Sequence, residues 1–438
     1  MKFDRFGCFA HATITGNETG IKVEDIMDQR LNGDIANASS PGAIALEDRW
    51  CAHTYKPLPV VITRAQGAWV HDDAGRRYLD MMSAYSAVNV GHSHPRILTA
   101  LTEQASKVAV VSRAFHTDKL GPFLQRLCAL TGLDGACPMN SGAEAVETAV
   151  KAARRWGYRH RGIPANQAEI IVASGNFHGR TTTIISFSSE EAYREGFGPY
   201  TPGFRVVPFG DLDALAAAIG PNTAAVLLEP IQGEAGIVLP PAGYLKGVRE
   251  ACDFAGILMI LDEIQSGLGR TGRWFAHQHE GVKPDGLCLG KALGGGVLPV
   301  SAFVARRDVI DVFDPGSHGS TFGGNPLAAA VGLEALAVIE EEGLVQRSAE
   351  LGAHLMDRLR ALNSPLIRDI RGLGLWVGLE IDPARATARQ VVEDWMRRGV
   401  LSKETHDTVV RLAPPLMIAP EDLDWAVDRL AETLSAFA

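Results

Sequence analysis

An acid and an amine follow two apolar segments in this 438-residue chain. Residues 257–261 are apolar and lead to Asp262, and residues 287–289 are apolar and are followed by Gly290 and Lys291. Ligands bind at the carboxyl ends of strands in open α/β sheets, where two such side chains meet at one edge. The pair fits a structural salt bridge. It also fits a lysine that forms a Schiff base with pyridoxal phosphate while the aspartate holds the pyridinium nitrogen.

A stretch of small and polar residues opens a predicted helix. Asn140, Ser141, Gly142 and Ala143 stand at the beginning of the amphipathic pattern of residues 142–157. Backbone amides at a helix N-terminus bind anions, so this stretch is a candidate phosphate site. An ordinary helix cap made by Ser141 or Asn140 is the alternative explanation.

Two further patterns match known motifs without predicting a site. Residues 267–272 match the Gly-x-Gly-x-x-Gly pattern of dinucleotide-binding proteins, but residues 273–277 do not form a convincing helix, and a lone match is weak. His277, His279 and Glu280 resemble a set of metal ligands. The two histidines would lie on different sides of a helix, so we interpret the segment as a solvated loop and predict no metal site.

Short apolar runs alternate with helical segments through the middle of the chain. Strands of a parallel sheet are buried on both faces and are therefore continuously apolar. We predict an α/β fold, with a mostly parallel sheet in a large domain and a second, smaller α+β domain. The predicted strands are residues 59–62, 69–71, 170–173, 183–185, 205–207, 225–228, 257–261, 287–289, 300–304, 375–381 and 409–412.

The length predicts two to three domains. We expect residues 1–44 to be a loosely ordered N-terminal arm and residues 45–90 to contribute to the small domain. Residues 91–325 form the predicted large, cofactor-binding domain, and residues 326–438 form the rest of the small domain.

Composition and charge exclude several classes of protein. Lys and Arg number 42 against 51 Asp and Glu, a net charge of −9, so nucleic acid is not an expected partner. No apolar stretch approaches 18 residues, which predicts no membrane span. The first residues lead into no apolar signal segment, and we expect a cytoplasmic protein. The six cysteines contain no Cys-x-x-Cys pair, which argues against a zinc site.

Seven ordered sequence blocks resemble a known family. With these blocks the chain is similar to the class III pyridoxal-phosphate-dependent aminotransferases of fold type I, over most of residues 45–438. So many blocks in one order do not agree by chance. The blocks are residues 85–92, 139–142, 175–181, 229–236, 262–267, 290–293 and 319–326.

The resemblance implies the cofactor, pyridoxal 5'-phosphate, and the residues that hold it. It implies that Lys291 forms the Schiff base and moves the reacting proton, and that Asp262 bonds the pyridinium nitrogen. A contact from one subunit to the cofactor phosphate of its neighbour implies a homodimer with shared active sites. The implied cofactor contacts are Ser141, Gly142 and Ala143 at the phosphate, Phe177 on the ring face, His178, Gln265 at the phenolic oxygen, and Thr321 from the neighbouring subunit.

Within the family, the chain is most similar to members that act on ornithine. The implied reaction moves the δ-amino group of L-ornithine to 2-oxoglutarate in a ping-pong mechanism, so the expected partners are small amino acids and 2-oxo acids. The products are glutamate and glutamate 5-semialdehyde, which cyclises to pyrroline-5-carboxylate. The implied substrate residues are Tyr55 and Arg180 at the ornithine α-carboxylate, Tyr85 in the ornithine pocket, Arg411 at the glutamate α-carboxylate, and Glu234, which pairs with Arg411 during the ornithine step.

Other functions stay open at this point. Another ω-amine aminotransferase, acting on N-acetylornithine, 4-aminobutyrate or lysine, has the same blocks, and so does an amino-acid racemase on this scaffold. A nicotinamide-dependent oxidoreductase built on residues 267–272 is a remote alternative. Two positions depart from the pattern of relatives: Phe322 stands where close relatives often have tyrosine, and His178 where some have tryptophan.

Overall fold

The computed structural model describes residues 40–437. Most of the predicted arm, residues 1–39, lies outside them. Ser40–Trp50 is a helix, α1, so the prediction of a loose arm as far as residue 44 is wrong at its end. Among the described residues, 40–62 with 72–74 form one compact unit, and 63–71 with 75–437 form a second. The predicted domain boundaries stay predictions.

A seven-stranded sheet forms the centre of the second unit, in the order β4-β10-β9-β8-β7-β5-β6. Strands β5 to β9 are parallel to one another, whereas β10 is antiparallel to both β9 and β4. The predicted mostly parallel sheet is therefore confirmed. Every residue of β7, β8, β9 and β10 is buried, as expected for strands covered on both faces. The strands are β4 Gly135–Met139, β5 Glu169–Ala173, β6 Phe204–Val207, β7 Thr223–Leu228, β8 Leu258–Asp262, β9 Gly286–Leu289 and β10 Ser301–Ala305.

Helices accompany the sheet along the chain. The longest, α4, runs from Gly142 to His160 and buries Val146, Ala149 and Val150 in one core cluster with Leu258 and Ile260 of β8. That burial explains its amphipathic pattern. The other helices of this part are α2 Pro95–Lys107, α3 Leu120–Thr131, α5 Thr182–Ile185, α6 Leu212–Ala218, α7 Tyr244–Ala255 and α8 Arg307–Ile310.

Three predictions of local structure fail for identifiable reasons. Residues 183–185 were expected to be a strand but belong to α5, because Thr181 caps that helix by accepting a hydrogen bond from the Ile184 amide. The strand expected at 59–62 begins only at Ile62. Strand β4 was not expected, since it contains Pro138, and proline is tolerated only at a sheet edge such as this one.

Two four-stranded sheets complete the fold, in the orders β1-β2-β3-β13 and β11-β12-β15-β14. In the first, β3 pairs in parallel with β13, which joins the early chain to its last quarter. The predicted long helices after Pro326 are present as α9 and α10. The strands are β1 Ile62–Gln66, β2 Trp69–Asp72, β3 Arg77–Asp80, β11 Ile367–Gly372, β12 Val377–Ile381, β13 Val400–Leu401, β14 Lys403–Thr405 and β15 Val409–Leu412, and the helices are α9 Pro326–Glu341, α10 Leu344–Ala361, α11 Ala388–Arg397 and α12 Pro420–Ser435.

A left-handed turn follows β3. Ser83, Ala84, Tyr85 and Ser86 have φ values of 49°, 45°, 59° and 70°, and none of them is glycine. Left-handed helical backbone costs L-residues about 1–2 kcal/mol each, so the surrounding structure must hold this turn in place. Within residues 40–437, no helix combines the length and the apolar character that a bilayer requires.

Candidate active site

The candidate site lies at the carboxyl ends of three neighbouring parallel strands. Glu229 follows β7, Asp262 ends β8, and Lys291 comes two residues after β9. These side chains line a cavity of about 190 Å³, together with Gly142 and Phe177. The structure therefore brings the acid and the amine of the sequence analysis to one cavity, at the edge of the sheet where ligands bind in such folds.

Asp262 is held in one orientation by two hydrogen bonds. Its Oδ2 lies 2.7 Å from Nδ1 of His178, and its Oδ1 accepts a bond of 3.0 Å from the Ile264 amide. Both Asp262 and His178 are buried. Burial alone lowers the pKa of His178, but the hydrogen bond to Asp262 and the charges of Asp262 and Glu229 outweigh it, and the pKa is raised. Nδ1 of His178 therefore donates to the aspartate.

Glu229 is a second buried carboxyl group in the cavity wall. Its two oxygens accept hydrogen bonds from the Phe177 amide at 2.9 Å and the Gly233 amide at 3.2 Å. Burial raises the pKa of Glu229 to about 7, although the nearby charge of His178 and these two bonds lower it. Glu229 connects the end of β7 to the backbone of Phe177, which is one of the predicted cofactor residues.

Lys291 begins a short 3₁₀ turn, Lys291–Gly294, with a left-handed φ of 46°. Burial lowers the pKa of its amine, while the carboxylates of Glu234, Asp262 and Glu229 oppose that shift. A lowered lysine pKa leaves more of the amine neutral at physiological pH, which is the nucleophilic and proton-accepting form.

The N-terminus of α4 supplies backbone amides to the cavity through Gly142 and Ala143. Ser141 caps this helix: its Oγ accepts a bond from the Glu144 amide at 3.3 Å, and the Glu144 carboxylate accepts one from the Ser141 amide at 2.7 Å. The capping function weighed for Ser141 is therefore present. The first amides of an α-helix have no internal acceptor, so those of Gly142 and Ala143 suit an anion.

Two aromatic rings surround the predicted substrate arginine Arg180. Its guanidinium lies 4.7 Å from the ring centroid of Tyr193 and 5.7 Å from that of Phe177. The two rings meet edge to face at 5.8 Å. Arg180 thus stacks beside the residue predicted to cover the cofactor ring, and it lies at an exposed position of the chain.

Glu234 and Arg411 form an ion pair of 2.8 Å. Burial alone raises the pKa of Glu234, but the positive charges of Arg411 and Lys291 and its hydrogen bonds outweigh it, and the pKa is lowered. Gln265 donates to the same carboxylate oxygen at 3.3 Å. The Tyr85 ring lies 4.6 Å from the Arg411 guanidinium. The structure therefore brings four of the predicted residues into one group.

The remaining predicted residues lie elsewhere. Thr321 is exposed and does not line the cavity of its own chain. Its neighbour Ser320 accepts a hydrogen bond of 2.8 Å from Asn140, which directly precedes Ser141. Tyr55 belongs to the unit of residues 40–62 and 72–74, and its side chain is exposed. The roles predicted for Thr321 and Tyr55 stay predictions.

The solvated loop expected at residues 277–280 is wrong. His277 is buried in a short 3₁₀ helix, Ala276–His279, with Nδ1 2.7 Å from a carboxylate oxygen of Glu263. Helical spacing describes only how the two histidines lie relative to each other, so it could not reveal Glu263 as the partner of His277. No group of three metal-ligating side chains occurs in the part of the chain that the structure describes.

The glycine-rich pattern of residues 267–272 encloses a buried arginine. Arg270 has no exposed surface, and its guanidinium donates to the carbonyls of Leu375 at 2.8 Å and Pro414 at 2.7 Å and to the side chain of Asn89. Burial lowers its pKa to about 9, against the charge of Asp80. A short 3₁₀ helix, Ala276–His279, follows the pattern in place of an α-helix, so its glycines provide close packing instead of a dinucleotide site.

Sequence reasoning missed two residues of the site. Glu229 follows the apolar run 225–228 as Asp262 follows 257–261, so its position at a strand end was available but unused. Tyr193, which packs on Phe177 and Arg180, gives no such indication, because it follows no strand and ends a short 3₁₀ helix, Glu191–Tyr193.

The chemistry of these groups fits pyridoxal phosphate. The cavity combines a carboxylate held by His178, an amine of lowered pKa on Lys291, and helix amides at Gly142. These match the pyridinium nitrogen, the aldehyde and the phosphate of that cofactor. Gly142 has to be small, because a Cβ there would lie 3.0 Å from the Ile264 side chain.

Comparisons with known proteins agree with this geometry. The family described as Aminotransferase class-III matches residues 50–434. A protein of Brevibacillus brevis named ornithine aminotransferase is 57% identical over 387 residues, which cover 88% of this chain and 96% of that protein.

Two solved structures extend the comparison. The ornithine aminotransferase of Toxoplasma gondii, described with partial occupancy of PLP at its active site, has a TM-score of 0.92 and 41% identity, covering 95% of this chain and 99% of that one. The acetylornithine aminotransferase of Elizabethkingia anophelis has a TM-score of 0.83 and 45% identity, covering 92% and 100%. These likenesses confirm the predicted α/β fold type.

Proposed function

Because this chain belongs to the class III aminotransferases, we propose that it transfers the δ-amino group of L-ornithine to 2-oxoglutarate. The comparisons confirm the family and the cofactor, pyridoxal phosphate, that the sequence blocks predicted. The proposed products are glutamate and glutamate 5-semialdehyde, which cyclises to pyrroline-5-carboxylate.

The cavity residues have separate tasks in this reaction. When bound, the cofactor supplies an electron sink for the carbon that loses a proton. The Lys291 amine would accept that proton and deliver it to carbon C4′ of the cofactor, since its lowered pKa keeps it available as a base. Asp262 would hold the protonated ring nitrogen through its negative charge, and His178 holds this carboxylate in position.

The remaining contacts orient the ring and its phosphate. The amides of Gly142 and Ala143 bind the phosphate at the start of α4, and Phe177 covers the ring face. Glu229 accepts a hydrogen bond from the backbone amide of Phe177, which holds the backbone of this stacking residue in place. Gln265 reaches the phenolic oxygen and also contacts Glu234.

The ion pair between Glu234 and Arg411 is the observation that supports ornithine as the amine donor. Ornithine must present its δ-amine, whereas glutamate must present its α-amine, so one pocket has to accept two opposite orientations. An accessible Arg411 attracts any α-carboxylate and places the adjacent α-amine at the cofactor. With Glu234 and Tyr85 covering Arg411, the ornithine carboxylate binds Arg180 instead.

The second half-reaction needs Arg411. A partly buried ion pair contributes little net free energy, because desolvation offsets the Coulomb attraction, so a second carboxylate can displace Glu234. We propose that 2-oxoglutarate does so and that Arg411 then binds its α-carboxylate. The family resemblance assigns Tyr55 to the ornithine carboxylate as well.

The proposal extends to the assembly. The resemblance places Thr321 at the phosphate of the neighbouring subunit, and its exposed position supports a contact outside its own chain. We therefore propose a homodimer with shared active sites in the cytoplasm. Sedimentation of the purified enzyme at several concentrations, with and without Thr321→Ala, tests this directly. A fully active monomer contradicts it.

A panel of amine donors tests the proposed substrate. N-Acetylornithine is the second candidate, because the acetylornithine aminotransferase structure shares 45% identity with this chain. We expect L-ornithine to give the highest kcat/KM with 2-oxoglutarate, above N-acetylornithine, 4-aminobutyrate and lysine, and to yield the cyclised δ-semialdehyde. A higher kcat/KM with N-acetylornithine would assign that compound as the substrate instead. Activity without any 2-oxo acid acceptor indicates a racemase.

A further inference from the structure

The left-handed turn that carries Tyr85 has a buried carboxylate at its entry. We infer that Asp80 is a positioning residue that holds Tyr85 against Arg411 and thereby sets the preference among amine donors. The inference rests on the proposed function, because it concerns the same substrate pocket. Its structural basis is independent of which donor is preferred.

Asp80 ends β3 and is 7% exposed. Its Oδ1 accepts hydrogen bonds from the amides of Met82 at 2.8 Å and Ser83 at 2.9 Å. Its Oδ2 lies 2.7 Å from Nε2 of His92. One carboxylate thus fixes the two amides that start the turn and ties them to a residue beyond its end.

The two serine side chains of the turn give it no comparable support. The hydroxyl groups of Ser83 and Ser86 are buried, and neither makes a hydrogen bond in the part of the chain that the structure describes. Backbone bonds close the turn, from the Ala87 amide at 2.9 Å and the Val88 amide at 3.0 Å to the Ser83 carbonyl. These bonds do not select the left-handed form, which four residues other than glycine avoid in isolation.

Backbone bonds fix the two ends of the turn to the region of Arg411. The Met81 carbonyl accepts a bond of 2.7 Å from Ala413, two residues after Arg411. The Asn89 carbonyl accepts one of 2.8 Å from Leu416. With both ends fixed, the handedness of the turn decides where the Tyr85 ring points. Asp80 acts on that handedness through the first two amides.

Removal of Asp80 frees those amides and lets the turn relax toward the right-handed form. The Tyr85 ring then leaves the Arg411 guanidinium, from which it lies 4.6 Å. Arg411 becomes accessible during the first half-reaction. Asp80→Ala should therefore reproduce the effect of Tyr85→Ala on donor preference, although the hydrogen bonds of Asp80 go to the turn and to His92 instead of to Arg411.

A double-mutant cycle tests the inference. The kcat/KM values for ornithine, 4-aminobutyrate and glutamate are measured for the wild type, Asp80→Ala, Tyr85→Ala and the double variant. We expect Asp80→Ala to lower the ratio of ornithine to 4-aminobutyrate about tenfold while glutamate changes less. In the Tyr85→Ala background, the same substitution should change that ratio by less than about twofold. Equal effects in both backgrounds overturn the inference.

Matched variants separate positioning from general loss of stability. Asp80→Asn retains an oxygen acceptor for the Met82 and Ser83 amides and should keep the wild-type ratio. Asp285 is another buried aspartate, which accepts from the Met259 amide at 2.7 Å and pairs with Arg249 at 2.9 Å. Asp285→Ala should lower stability and leave the ratio unchanged. The same ratio change in Asp285→Ala overturns the inference.

A structural measurement completes the test. Hydrogen exchange at residues 82–91 of the holoenzyme should rise in Asp80→Ala and stay near wild type in Asp80→Asn, and unchanged exchange in Asp80→Ala contradicts the inference. Asp80→Ser takes the place of Asp80→Ala if the latter does not fold. If the wild type prefers another donor, the proposed function fails. The cycle is then measured on that donor, and coupling between Asp80 and Tyr85 still decides.

Discussion

Adjacent residues at the end of β8 make the same type of contact in two different surroundings. Asp262 and Glu263 each lie 2.7 Å from Nδ1 of a buried histidine, His178 in one case and His277 in the other. Asp262 faces the cavity with Lys291. Glu263 faces the protein interior and accepts further bonds from the amides of Ala276 at 2.6 Å and His277 at 2.9 Å, and from Ser266 at 3.1 Å.

The difference shows that residue type and partner do not distinguish a catalytic carboxylate from a structural one. Successive side chains of a strand point to opposite faces, so one step along the chain separates the two environments. The Glu263 carboxylate has four hydrogen-bond donors and no cavity. Asp262 has two donors and keeps the remaining capacity of its oxygens for a ligand.

The largest expected effect is on the cavity side, at Lys291. Lys291→Ala removes the amine that carries the reacting proton and that binds the cofactor covalently, so turnover should fall by at least about 10⁴-fold. Steady-state kinetics with ornithine and 2-oxoglutarate measure it, and Lys246→Ala on α7 is the matched control. Turnover near the wild-type value in Lys291→Ala removes this lysine from the mechanism.

Substitution of the two adjacent carboxylates compares the environments directly. Asp262→Asn should lower turnover roughly 10³-fold with little change in thermal stability, because it removes a charge that acts on the cofactor. Glu263→Gln should lower the free energy of unfolding by about 3 kcal/mol, because an amide leaves buried donors unpaired. Urea unfolding and turnover are measured on both. The comparison fails if Glu263→Gln alone abolishes turnover in folded protein.

The free energy of unfolding should depend on pH through Glu229, which lies on the cavity side. Its pKa is about 7 in the folded protein against an ordinary 4.5, so the folded state keeps a proton that the unfolded state has released. Its stabilising contribution is full below about pH 4.5 and is lost as the pH rises through 7. Between pH 5 and 8, the wild type should lose about 2–3 kcal/mol of unfolding free energy relative to Glu229→Gln. If the unfolding free energies of the wild type and of Glu229→Gln change with pH in parallel, this expectation is wrong.

The smallest expected effect is at Glu234, a carboxylate that is paired with the cation of Arg411. Glu234→Ala leaves Arg411 uncovered in both half-reactions, so ornithine should also react at its α-amine. We expect the rate of δ-transfer to fall about tenfold, while the glutamate half-reaction is retained or accelerated. Single-turnover kinetics with identification of the oxo-acid product measure both. If only the δ-semialdehyde forms and both half-reactions slow equally, Glu234 is not a switch.

The central sheet was predictable because burial on both faces requires continuous apolar runs. The runs at 225–228, 257–261 and 287–289 each became a strand of that sheet, and the residues after two of them pointed to the site. Edge strand β4 was not predictable in the same way, since an edge position accepts proline. The helix at 182–185 was missed because one capping hydroxyl outweighed four β-branched residues.

The candidate site was predictable where a residue acts from a strand end and unpredictable where it acts through a distant partner. Asp262 and Lys291 belong to the first kind. Tyr193 belongs to the second, because only the fold places it against Phe177 and Arg180. The left-handed turn at Tyr85 gives no local indication at all, since it contains no glycine and depends on Asp80 and on residues near the end of the chain.

The parallel pairing of β3 with β13 has a consequence for synthesis on the ribosome. Leu79 pairs with Val400, so the strand before Tyr85 has no neighbour on that edge until nearly the whole chain has been made. Contacts between such distant residues form late, because closing a long loop costs entropy before any contact repays it. Strands β5 to β9 lie closer together in the chain and assemble earlier. We therefore expect a nascent chain to assemble β7, β8 and β9, which carry the cavity residues, before the pairing of β3 with β13 brings the segment before Tyr85 into its final place.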